Sequence, residues 1–336
     1  MIRLRNVFVF LLVVVAGAAV HAQEPLYAPT PLVNEPEGAS SSGSQVADVL
    51  AARRAQEMGF PSAAIALYRR LLSGPGGDRP ALVLSLATAL LEEGRTAEAK
   101  EVLETYPGPR LSPWLLRVAL AAAQERDFVA AKEALGPMHE EELSPAEMAW
   151  LRYLQALVFE ADGNFERANY AFNEAAQRAG SGQARARFLM KRDQSRLRAG
   201  APVSEGQLEA ARKNVELFQG RKVGYGFART YAAMLDASGR KADAVAILQQ
   251  QLVSLPAEER NELDETRLLL GLVAGAADGA GRNAFEQLLE RGVDRDKQRI
   301  ALQMLAQAST KPPQLTSFRR LLGGLISAPT PHPILE

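Results

Sequence analysis

From residue 45 to about 326 the chain alternates apolar stretches at helical spacing with short breaks rich in glycine, proline and polar residues. Runs rich in valine and threonine at strand period are missing, so the pattern predicts an all-α protein. One interval recurs within it. Ala52 and Ala64, Ala87 and Ala99, Ala119 and Ala131, Ala156 and Ala168, and Ala232 and Ala244 are each twelve residues apart, with a break between them. Two packed antiparallel helices require such a pair: one small residue on each, where the backbones approach most closely.

The breaks are regular too. Gly59, Gly94, Gly163 and Gly239 each fall seven residues after the first alanine, where a helix ending in a left-handed residue favours glycine. Four residues after the second alanine stands a large side chain: Tyr68, Leu103, Leu135, Phe172 or Leu248. It lies one helical turn along the same face and fills the space the alanine leaves.

Together these marks resemble the tetratricopeptide repeat, whose unit has a small residue on its first helix, Ala-x-x-x-Phe on its second, and proline near its end. The best-matched stretch holds Ala156, Phe159, Gly163, Phe165, Ala168 and Phe172; the next holds Ala232, Leu235, Gly239, Ala244, Leu248 and Pro256. The resemblance implies a right-handed α-solenoid of antiparallel helix pairs, about seven to eight of them, over residues 45–326. Departures are specific. Trp114 and Trp150 are not at the family's tryptophan position, and a fifth unit, about 183–219, has Asp193 and Glu205 where alanines belong. In the seventh, Gly271 and Ala284 are thirteen apart around an Asp278-Gly279-Ala280-Gly281 turn; an eighth, with Ala301, Phe318 and Leu322, is expected to cap the array.

By the same resemblance, the first helices of the pairs form an inner wall that binds a protein or peptide segment, comprising Leu84, Thr88, Leu116, Tyr153, Leu157, Met190, Gln194, Arg229 and Ala233. The lysine and asparagine set with which some relatives hold a terminal carboxylate is not found; Arg53 and Arg229 stand alone.

The ends predict the compartment. Arg3 and Arg5 precede an apolar run from Val7 to about Val20 and the small-residue site Val20-His21-Ala22, so residues 1–22 read as a cleavable secretory signal. Residues 23–44, with Pro25, Pro29, Pro31 and Pro36 and a serine-rich run, read as a disordered tether, and residues 327–336, with Pro329, Pro331 and Pro333, as a proline-rich tail. The expected location is the periplasm, with secretion or outer-membrane association as alternatives. No transmembrane segment is expected after cleavage. The absence of cysteine excludes an acylated lipoprotein anchor, disulfides and thiolate metal sites. Lysine plus arginine equals aspartate plus glutamate at 39 each, which argues against nucleic acid as a partner.

The candidate chemistry is thin. His139 with Glu140, Glu141 and Glu142 has no second histidine at ligand spacing and reads as a solvated acidic loop. Asp162-Gly163-Asn164 lacks the other oxygen ligands of a calcium loop, and Gly279-Ala280-Gly281-Arg282 lacks the strand and Lys-Ser of a phosphate loop. Glu160 is the one carboxylate expected near a groove, beside Tyr153 and Leu157. Arg185, Arg187, Lys191, Arg192, Arg196 and Arg198 lie on one helix, and Arg192 and Arg196 are the candidate site for docking something anionic. The expectation is a non-enzymatic scaffold or adaptor of the bacterial envelope, without catalytic residue, cofactor or metal. The alternative is the helical accessory region of a larger secretion or polysaccharide-export protein that continues beyond residue 336.

Overall fold

The computed structural model describes residues 40–75 and 77–327. The predicted signal, most of the tether and all but the first residue of the tail lie outside them. All regular structure among the described residues is helical. The first half holds α1 (Ser40–Glu57), α2 (Pro61–Ser73), α3 (Arg79–Glu93), α4 (Thr96–Glu104), α5 (Ser112–Gln124), α6 (Phe128–Leu135), a 3-10 turn (Glu140–Glu142), α7 (Pro145–Ala161) and α8 (Phe165–Arg178). The second holds α9 (Gly182–Arg198), α10 (Glu205–Leu217), α11 (Lys222–Ala237), α12 (Lys241–Ser254), α13 (Arg260–Ala274), α14 (Gly279–Arg291), α15 (Arg295–Ala308) and α16 (Pro312–Ile326). Helix α1 begins at Ser40, ahead of the predicted boundary at 45.

All ten alanines of the twelve-residue pairs are fully buried, at 0 % exposure. Only a methyl group fits where two helix backbones come this close, and Tyr68, Leu103, Phe172 and Leu248 fill the space one turn further on. Gly59, Gly94, Gly163 and Gly239 all adopt left-handed backbone, with φ of 85°, 78°, 74° and 82°. After each, the next amide donates to a carbonyl five residues back: Phe60 to Ala55, Arg95 to Leu90, Asn164 to Phe159 and Arg240 to Leu235, at 2.8–2.9 Å. This closes the first helix and satisfies a carbonyl that would otherwise be orphaned.

The pair Ala119 and Ala131 makes the same turn without glycine. Arg126 takes the left-handed position at φ 65°, the only non-glycine residue with positive φ among those described, and Asp127 donates to Ala122 at 2.9 Å. Asp127 then caps α6 by accepting from Ala130, as Asn164 caps α8 by accepting from Arg167. The unit with Asp193 and Glu205 also keeps the turn, through Gly200 at φ 70° and Ala201 donating to Arg196. Its alanines are gone, but its helix stop is not.

Helices pack chiefly on their chain neighbours, and odd-numbered helices also pack on one another, α3 on α5 on α7 and then α9 on α11 on α13 on α15. One apolar core runs from Ala52 to Phe188, and smaller clusters continue it through Leu235, Leu248, Phe285 and Leu305. Gly271 replaces the expected alanine for a local reason: a Cβ there would lie 2.4 Å from the Phe285 ring, which packs against the α13 backbone.

Candidate functional site

Five of the odd-numbered helices share a cavity of about 600 Å³. Its wall takes Arg53, Gln56 and Glu57 from α1, Leu84, Ser85, Thr88 and Glu92 from α3, Arg117 from α5, Glu147 and Trp150 from α7, and Ala184 and Phe188 from α9, with Tyr68 of α2. Helices far apart in the chain share it because the turn after α1 and the end of α3 meet α9 and the start of α11. The Arg221 guanidinium donates to the Met58 carbonyl at 3.0 Å and lies over the Phe60 ring, 5.3 Å from its centre. Arg187 donates to the Glu92 carbonyl at 3.2 Å, and Lys222 pairs with Glu93 at 3.6 Å. The Gln183 amide lies against Gly59. A second cavity, of about 520 Å³, lies along this seam between Gly59–Ala63, Glu92, Arg187, Met190, Arg221 and Arg229.

Two polar arrangements face the main cavity. In the first, Tyr68 Oη donates to Gln56 Oε1 at 3.4 Å, and Gln56 Nε2 donates to Glu92 Oε2 at 3.0 Å. Burial pushes the Glu92 carboxyl above the ordinary carboxylate range, an effect the Arg187 charge and the Gln56 bond only partly offset. In the second, Arg117 donates from Nε to Thr88 Oγ1 at 3.0 Å, from Nη1 to the Pro113 carbonyl at 2.7 Å, and to Glu147. Burial raises the Glu147 carboxyl too, but Arg117 and the Ser144 donors outweigh it and hold the group below its usual value. Glu147 also closes a capping box with Ser144, so the start of α7 and the ion pair fix each other.

The predicted wall residues separate into groups. Leu84 and Thr88 line the main cavity, and Met190 and Arg229 the second. Arg229 is engaged by Glu262 and Glu265 of α13, and Gln194 donates to Thr230 Oγ1 at 2.7 Å, joining α9 to α11. Leu157 and Ala233 are half-buried. Leu116 and Tyr153 are not cavity-facing: Leu116 is in the core beside its cavity-lining neighbour Arg117, and Tyr153 stacks on Phe188 at 5.0 Å and tilts against Phe172. Burial pushes the Tyr153 phenol up to about 12. Glu160 is bonded by Arg198. Arg192 and Arg196 line a third cavity, between α8, α9 and α10.

Glu92, Arg117, Glu147 and Trp150 were not among the expected wall residues. Glu92 had a readable signal, since Leu84, Thr88 and Glu92 succeed one another at one-turn intervals on α3. The acidic loop is structural: Glu142 accepts from the Ser112 amide and hydroxyl, and Glu140 pairs with Arg152. Asp162 pairs with Lys132, and Asp278 caps α14. Among the described residues no cluster of three His, Cys, Asp or Glu side chains is arranged to hold a metal, and no helix is long and apolar enough to cross a membrane. No protein-family model matches the chain, and none of the curated proteins matches it.

Proposed function

We propose that this chain is an exported, non-enzymatic scaffold of the bacterial envelope, with its helix pairs stacked as a right-handed tetratricopeptide-like solenoid that holds a segment of a partner protein in the main cavity. The observation that carries the reading is that five first helices, α1, α3, α5, α7 and α9, contribute to one cavity wall. That wall alternates apolar surface, from Leu84, Trp150 and Phe188, with separated polar groups, which suits a side-chain-bearing peptide better than a uniform lipid or a polyanion. Charges on it are mixed in sign: Arg53 and Arg117 against Glu57, Glu92 and Glu147. Buried alanine pairs and repeated left-handed turns support the solenoid reading, because stacked pairs of this kind bury a continuous core that no single pair can supply. The periplasmic location rests on the Arg3, Arg5 and Val7–Val20 pattern.

The test is photocrosslinking in the native cell with a photoreactive residue at Leu84 or Ser85, and at Val253 of α12, which is 89 % exposed, as control. The expected result is one discrete adduct from the cavity positions and none from Val253. Equal labelling at all three positions, or no adduct from the cavity, overturns the reading.

A further inference from the structure

The helices α9 and α10 carry Asp193 and Glu205 where five other units carry alanine pairs, and a cavity adjoins them. A carboxylate cannot sit at a helix–helix closest approach as a methyl can. Asp193 turns instead to Arg192, whose Nε and Nη2 donate to its Oδ1 at 2.9 and 2.7 Å. Beside it lies an open cavity of about 660 Å³, bounded by Asn169 and Asn173 of α8, Arg192 and Arg196 of α9, the Pro202–Ser204 connection and Gln207 of α10.

The polar atoms on this wall are sorted by type. Asn173 Oδ1 is occupied by Arg192 Nη1 at 2.9 Å. Gln207 Oε1 is occupied by the Ser204 amide and hydroxyl, at 2.9 and 3.0 Å. Asn169 Oδ1 is buried without a partner. The Asn173 and Gln207 oxygens are thus engaged and the Asn169 oxygen is buried, while the NH₂ groups of all three amides have no acceptor among the hydrogen bonds described. The Arg196 guanidinium has neither a hydrogen bond nor an ion pair within 4 Å among the described residues, and no carboxylate lines the cavity; its charge acts on Asp193, which Arg192 binds directly.

We propose that this cavity binds an oxyanion, the carboxylate or the sulfate or phosphate group of a small ligand or polymer, with Arg196 as the principal charge and the amides of Asn169, Asn173 and Gln207 as its donors. A wall with three side-chain amides and one guanidinium free of hydrogen bonds is complementary to such a group. The site is separate from the main cavity and does not depend on what that cavity holds.

The test is titration calorimetry of the full chain with inorganic sulfate and, separately, with acetate, at constant ionic strength held by chloride. Saturable binding of one anion is expected; tighter sulfate points to a sulfate or phosphate ester, tighter acetate to an acidic side chain or uronate. Arg196→Gln is expected to weaken binding about tenfold or more, and Asn169→Asp, which places a carboxylate on the donor wall, to do the same. Arg299→Gln, at an exposed arginine of α15 paired with Asp296, serves as the control and leaves binding unchanged. Absence of saturable heat from either anion, or unaltered binding in an Arg196→Gln protein of native helix content, overturns the proposal.

Discussion

Gln183 occupies the space that a side chain on Gly59 would need: a Cβ built on Gly59 lies 1.7 Å from Gln183 Oε1. Gly59 ends α1 and Gln183 begins α9, so one glycine serves two purposes. It supplies a left-handed turn at φ 85°, and it leaves room for Gln183 against the end of α1.

Gly94 separates these purposes. It has the same backbone sense, at φ 78°, but a Cβ there meets nothing within 4 Å. Alanine at either position is expected to cost about 1–2 kcal/mol for the left-handed backbone. Only Gly59→Ala is expected also to speed amide hydrogen exchange at the start of α9, because it displaces Gln183. Exchange read by mass spectrometry checks this; indistinguishable exchange in the two variants would show that the seam does not depend on this contact.

Arg126 is in the position that glycine fills in the neighbouring turns, at φ 65°. Arg126→Gly is expected to stabilise the chain by roughly 0.5–1 kcal/mol, the relief of left-handed strain less the extra freedom of glycine in the unfolded chain. Urea unfolding measures it, and a loss of stability would mean that the arginine side chain contributes more than its backbone costs.

That turn also marks the limit of what sequence alone discloses. The alanine pairs and turn glycines were legible because helix-pair packing is local and repeats at fixed intervals. The Arg126 turn was not, since the bond from Asp127 to Ala122 holds the geometry without the expected residue. The inner wall was legible only in part. Leu84 and Thr88 face the cavity, but Leu116 lies one residue off the correct face, and Tyr153 is drawn into a cluster with Phe172 and Phe188. The seam between Gly59 and Gln183 leaves no spacing signal. It joins elements far apart in the chain, which no local interval records.

Gly271→Ala is expected to destabilise by about 1–3 kcal/mol, because the added methyl overlaps the Phe285 ring at 2.4 Å. Combining it with Phe285→Leu is expected to cost less than the two changes summed, since a smaller side chain leaves room for the methyl. Strict additivity in a double-mutant cycle would rule out this contact as the cause.

The two cavity carboxylates predict opposite responses to pH. Glu92 has its carboxyl raised by burial, so the folded chain retains a proton that the unfolded chain has released. Its contribution is favourable below the ordinary carboxyl pKa and declines as pH rises towards the raised folded value. Glu147, held low by Arg117 against the effect of burial, contributes above the ordinary value and loses that contribution as pH falls towards its lowered one. Urea midpoints measured from acid to neutral pH are expected to show that Glu92→Gln removes the decline on the rising side and Glu147→Gln the loss on the acid side. Unchanged profiles in both variants would exclude these groups as the titrating ones.

The seam also orders the assembly of the chain in time. The turns and helix pairs are built from contacts between near neighbours, whereas the bond from Arg221 to Met58 spans 163 residues and that from Arg187 to Glu92 spans 95. Contacts of such high contact order require loop-closure entropy to be overcome before they return any stabilisation. This predicts that the helix pairs form before the seam, so that the cavity wall is the later part of the fold to be completed.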